Sequence, residues 1–161
     1  MAKDIIPGEG PKPCLGMIVG EAPGAEEERQ GRPFVGKSGE ELNKALAAAD
    51  WPREWVYITN IYKLRPPGNR NPTEKEIASH AMLFHRELRD VQPRYILTLG
   101  NVPTQELLNT TTGITRLRGE WQRLDRHRVV LPTFHPSYVA RGKGEAEFHA
   151  DVSEFVRALR S

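Results

Sequence analysis

The chain has 161 residues, 38% of them apolar and 27% charged, with a formal net charge of +2. That is enough material for one globular domain with a proper core, and too near neutrality to establish nucleic-acid binding, although a basic stripe can hide inside such a total. The single cysteine, Cys14, excludes an internal disulfide framework, and no apolar run nears the roughly 18 residues of a membrane span, so a soluble protein of the reducing cytosol is expected.

Residues 1–13 carry three prolines and two glycines and read as an extended arm without the apolar core of a signal peptide. Leu15–Val19 is a short apolar run that reads as a buried strand. It ends in Gly20-Glu21-Ala22-Pro23-Gly24, and Gly31-Arg32-Pro33-Phe34-Val35-Gly36 follows. Such a strand end delivers a carboxylate and glycine-lined backbone to the carboxyl edge of a sheet, where parallel α/β folds bind ligands. Phe34 adds a flat apolar ring, so the pair of segments suits a flat polar heterocycle. A strand-to-loop turn with a solvated glutamate is the plainer alternative.

Ser38 can cap a helix through Ala49, with Leu42, Ala45 and Leu46 on one face. Trp55–Thr59 is a second strand by its β-branched and aromatic content, and Asn60 follows it. The prolines and glycine of 65–72 enforce a loop. Thr73 resembles an N-cap with Glu76 three residues on, opening a helix to about Asp90. Tyr95–Gly100 is a third strand, Val102–Leu108 a short helix, and Val129–Thr133 a fourth strand that runs into Phe134-His135-Pro136-Ser137. A last helix spans about Glu145 to Leu159.

Strands separated by helical segments imply right-handed βαβ units around a mostly parallel sheet. The loops after the first, second and fourth strands then open on one face, which brings Glu21, Asn60, Arg70 and His135 together. His135, pinned by Pro136, either is a satisfied structural residue or donates a hydrogen bond to a developing oxyanion. Asn60 either reads one edge of a base or closes a turn. The basic residues of 63–70, with Arg141 on another loop, suit a phosphate backbone, unless they form an ordinary solvated loop. Metal ligation finds no cysteine pair and no His-x-x-x-His spacing, and Walker or dinucleotide glycine loops are absent.

These segments, with Thr59–Arg70, Leu99-Gly100, Leu117-Arg118-Gly119 and His135-Pro136-Ser137-Tyr138, resemble the uracil-DNA glycosylase superfamily from Leu15 to about Arg141, and most of all its family-4 branch. The resemblance implies an α/β/α sandwich with a four-stranded parallel sheet, formed by residues 1–161 as one domain. It implies hydrolytic removal of uracil flipped out of DNA, leaving an abasic site. In that reading Glu21 orients or activates water and His135 stabilises charge at O2 of the departing base. Phe34 stacks on the uracil, Asn60 reads its edge, Gly20 joins the uracil-binding set, and Glu27 lies near C5 and helps reject thymine. Ser38, Arg65, Asn69, Arg70, Ser137 and Arg141 form the DNA-binding set. The partner is uracil-containing DNA, the enzyme is a monomer, and it works in the cytoplasm at the nucleoid.

The chain departs from the family-4 pattern at the iron–sulfur cluster. Leu64 stands where that pattern has a cysteine, the Glu76–Ala81 region has none, and His80 is the nearest alternative ligand. A cluster of about four thiolates is therefore not expected, nor any other cofactor. A different class of function, a binder that holds uracil or abasic sites without turnover, is the alternative.

Overall fold

The computed structural model describes residues 4–161; the first three residues of the expected arm lie outside the described residues. Five strands form one sheet: Gly16–Gly20 (β1), Tyr57–Asn60 (β2), Tyr95–Leu99 (β3), Gln122–Arg123 (β4) and Val129–Thr133 (β5). Their order is β2-β1-β3-β5-β4, with every pairing parallel except that of β4 with β5. The expected four-stranded parallel sheet is thus extended by one antiparallel edge strand. Two residues, neither of them apolar, leave no alternating pattern from which β4 is readable.

The helices are Ala25–Gln30 (α1), Lys37–Ala48 (α2), Glu74–Ser79 (α3), Ala81–Val91 (α4), Asn101–Leu108 (α5), Ile114–Leu117 (α6), Pro136–Ala140 (α7) and Glu145–Arg160 (α8). Alternation along the central strands divides the core in two. Ile18, Leu97, Leu99 and Leu131 pack with Leu42 and Leu46 of α2 and with Phe148, Val152 and Phe155 of α8. Met17, Val19, Ile96 and Val130 pack with Ile77 of α3 and with Phe84, Leu88 and Val91 of α4. Helices thus cover both faces of the sheet. Among the described residues no helix is long and apolar enough to cross a membrane.

Three expectations need correction. Ser38 is not a cap: α2 begins at Lys37 behind Gly36. The helix expected over 73–90 is two helices, although Thr73 and Glu76 do form the expected capping box. It breaks at His80 because that side chain turns inward, where Nδ1 accepts the Lys63 amide at 2.9 Å and the ring packs on Tyr62 at 4.6 Å. The arm is extended, but it is also packed: Ile6 is buried, and Glu9 exchanges backbone hydrogen bonds of 2.9 Å with Ile58. It thereby covers the outer edge of β2, which would otherwise offer unpaired amides to other chains.

Candidate active site

β1 and β2 run side by side with Gly20 opposite Asn60, so Glu21 and the loop after Asn60 leave the sheet at one level. A Cβ on Gly20 would fall 2.2 Å from Phe34 Cζ and 2.5 Å from Asn60 Oδ1. Only glycine lets the ring and the amide approach here. Phe34 has a φ of 51°, a left-handed conformation that a bulky side chain rarely adopts. Glu27 holds the loop that carries it: Oε1 accepts Gly24 N–H at 2.9 Å, and Oε2 accepts those of Val35 and Gly36 at 2.9 and 2.7 Å. On the other side of β1, Gly100 (φ 92°) follows β3, and a Cβ there would lie 3.0 Å from His135 Cβ.

These strand ends enclose an open cavity of about 580 Å³. Its lining includes ten of the residues expected from sequence: Glu21, Glu27, Phe34, Ser38, Asn60, Asn69, Arg70, His135, Ser137 and Arg141. Gly20 lies beneath it, between the ring and the amide. Arg65 does not line it. Its guanidinium donates to Asn69 Oδ1 at 2.8 Å and pairs with Glu28 at 3.6 Å.

Burial moves the pKa values of Glu21 and His135 in opposite directions, each toward the uncharged form. Burial raises the Glu21 carboxyl above the ordinary glutamate value, and among the described residues its side chain has no partner. Burial, and then the charge of Arg141, lower His135 to about 4. Its Nδ1 accepts the Ser137 N–H at 3.0 Å, so the neutral ring carries its proton on Nε2. Asn60 is 2% exposed, and its Oδ1 is buried with no hydrogen-bond partner in the protein. A buried lone acceptor of this kind needs a donor from a ligand or water. Of the two lining arginines, Arg70 already pairs with Glu76 at 2.6 Å. Arg141 has no carboxylate partner among the described residues and lies 6.0 Å over the Tyr138 ring.

Sequence reasoning missed Arg53, which supports the Phe34 loop from behind, and Asn101, which lines the cavity and accepts the Ile114 amide at 2.7 Å. Neither stands in a motif or on a periodic face. The glycine after β3, within the Leu99-Gly100 pair, was the available signal for the region around Asn101.

Residues 7–160 match the uracil DNA glycosylase superfamily. The chain belongs to that superfamily. It is 37% identical to a type-4 uracil-DNA glycosylase of Sulfurisphaera tokodaii over 82% of this chain and 64% of that protein. It is also 37% identical to the type-4 uracil-DNA glycosylase of Thermotoga maritima, over 98% of this chain and 82% of the relative. The type-4 enzyme of Archaeoglobus fulgidus is 36% identical over 92% and 79%. The chain thus spans a little under two thirds of the length of the first of these relatives and about four fifths of the others.

An iron–sulfur cluster, which the resemblance to the type-4 branch raises, does not fit the donors present. The one cysteine, Cys14, donates its S–H to Trp55 O at 3.3 Å. Leu64 offers no ligand, and His80 has its Nδ1 committed to the Lys63 amide. Among the described residues no three His, Cys, Asp or Glu side chains are grouped to hold a metal.

Proposed function

We propose that this protein is a uracil-DNA glycosylase that takes a flipped uracil into the cavity and hydrolyses its N-glycosidic bond, leaving an abasic site. The observation that carries the reading is the orphaned Oδ1 of Asn60 beside the Phe34 ring. Uracil presents N3–H as a donor and O4 as an acceptor, which complement Oδ1 and the amide nitrogen of Asn60. Cytosine presents the reverse pattern and would leave Oδ1 unpaired, a penalty on the order of 1–3 kcal/mol. Flipping costs a few kcal/mol, offset by stacking on Phe34 and by this edge recognition. Gly20 permits the approach, and the Glu27 side chain forms the wall that meets a C5 methyl and disfavours thymine.

Breaking the C1′–N1 bond leaves cationic character on the sugar and negative charge on the base. Ionised Glu21, free of side-chain partners, orients water on the sugar side. The Nε2–H of His135 donates to O2 of the leaving base, where charge develops. Ser38, Asn69, Arg70, Ser137 and Arg141 line the rim along which the DNA backbone runs. The chain acts as one domain and as a monomer in the cytoplasm at the nucleoid, without a cluster, because positions 64 and 80 supply no thiolate.

The test is base release from oligonucleotides carrying uracil, cytosine or thymine opposite guanine, followed by alkali, with iron measured on the same protein. The reading expects multiple turnovers on uracil, none on cytosine, and no stoichiometric iron. Tight binding to uracil-DNA without base release would replace it with a non-turnover binder. Iron near one cluster per chain would overturn the cofactor assignment.

A further inference from the structure

We infer that Arg53, in the turn that leads into β2, is a positioning residue for the base-stacking ring Phe34, a role that rests on the glycosylase reading above. Its Nη2 donates to Pro33 O and its Nη1 to Phe34 O, both at 2.6 Å, and Nη1 also reaches Asn43 Oδ1 of α2 at 2.9 Å. The same loop gives the amides of Val35 and Gly36 to the Glu27 carboxylate. A guanidinium therefore holds the carbonyls of Pro33 and Phe34, and a carboxylate holds the amides of the next two residues. No strand pairing does this work, because the segment lies between α1 and α2.

The clamp has something to hold. Phe34 adopts a φ of 51°, which an L-residue with a large side chain keeps only when its surroundings fix it. The carbonyl that Arg53 grips is also packed hard against α2: a Cβ on Gly39 would lie 2.0 Å from Phe34 O. With both backbone sides tied, the ring stands against Gly20 and beside Asn60 before any base arrives. Arg53 is itself kept in place by Glu9 of the arm, at 3.6 Å, and its side chain is 16% exposed. Two carbonyls gripped at once require a planar fork; a lysine ammonium reaches one of them. Both Nη groups are committed beneath the loop, so Arg53 does not compete for DNA phosphate.

A pre-set stacking ring acts on substrate and transition state alike, so its loss raises KM and spares kcat. Arg53→Met keeps the bulk of the side chain and removes the donors. With uracil-DNA, well below its melting temperature, this variant should raise KM about tenfold, on the scale of one base–aromatic stack, with kcat within about twofold. In a Phe34→Ala background the same substitution should change KM less than about twofold, because the ring it positions is gone. Arg53→Lys should recover part of the loss. Hydrogen exchange supplies a readout apart from activity: the amides of Val35 and Gly36 should exchange faster in Arg53→Met while those of β3 keep their protection. An equal KM effect with and without Phe34, or unchanged exchange of the loop amides, would overturn the inference. A parent protein that releases no uracil would sink the glycosylase reading instead, and the exchange measurement would then decide the clamp alone.

Discussion

Glu21 and His135 are both pushed by burial toward their uncharged forms, yet the proposed reaction needs one charged and the other neutral. Because the Glu21 carboxyl is raised, the acid limb of single-turnover excision should lie above the range of an exposed glutamate. His135, lowered to about 4, should contribute no limb near pH 6.5. Glu21→Gln should slow excision by roughly 10²–10⁴ and remove that acid limb while uracil-DNA binding persists; a limb that survives the substitution assigns it to another group. His135 also links the site to stability. The unfolded histidine takes up a proton near pH 6.5 and the folded one only near 4. Its contribution is therefore present above pH 6.5 and lost as pH falls toward 4, on the order of 3 kcal/mol. Glu21, with its raised value, shifts stability the other way at the acid end, so the informative quantity is the difference between parent and His135→Gln in denaturant midpoint at pH 7 and pH 4.5. That difference should narrow or reverse in favour of the variant as pH drops. A constant difference would mean that the imidazole is not buried in its neutral form.

The strand end carrying Asn60 is anchored by a buried ion pair. Lys63, 2% exposed, pairs with Glu87 of α4 and donates to Thr59 Oγ1 and Asn60 O, each at 2.6 Å. Glu87 Oε2 also accepts Tyr57 O–H at 2.7 Å and Gly8 N–H at 3.1 Å, tying β2, α4 and the arm together. Lys63→Met should cost about 3–5 kcal/mol because it strands the Glu87 charge. Adding Glu87→Gln should restore part of that loss, as read from urea midpoints, whereas additive losses would show that the two side chains are not coupled. This anchor also explains what was legible in the sequence and what was not. β1, β3 and β5 are mostly apolar runs flanked by breakers, and Glu21, Asn60 and His135 stand at or just past strand ends, so both the sheet and the face carrying them were readable. The break at His80 was not, because a helix-length segment with a capping box gives no sign that one side chain will turn inward to meet Lys63. Arg65 turning to Glu28, and Arg53 reaching back to Pro33, are long-range choices of a hydrogen-bond partner that leave no periodic trace.

Across the whole molecule the charge is nearly balanced, so in the proposed reading DNA affinity depends on which arginines are free. Arg70 is already paired with Glu76, and a phosphate that takes it must displace that carboxylate. Arg141 faces the cavity with no such competitor among the described residues. Arg141→Ala should lower the slope of log Kd against log salt by about one, and Arg70→Ala by clearly less. Equal reductions would mean that the Glu76 pairing does not survive DNA binding.

The place of β1 between β2 and β3 has one more consequence. Its neighbours β2 and β3 come from different stretches of chain, and β5 joins only through β3. Glu21 and Asn60 therefore come from the first half of the chain and His135 from near its end. In the glycosylase reading, a nick in the loop after α4 would put the recognition groups and the leaving-group donor on separate pieces. On that same reading, assembly from distant stretches ties activity to the completed fold.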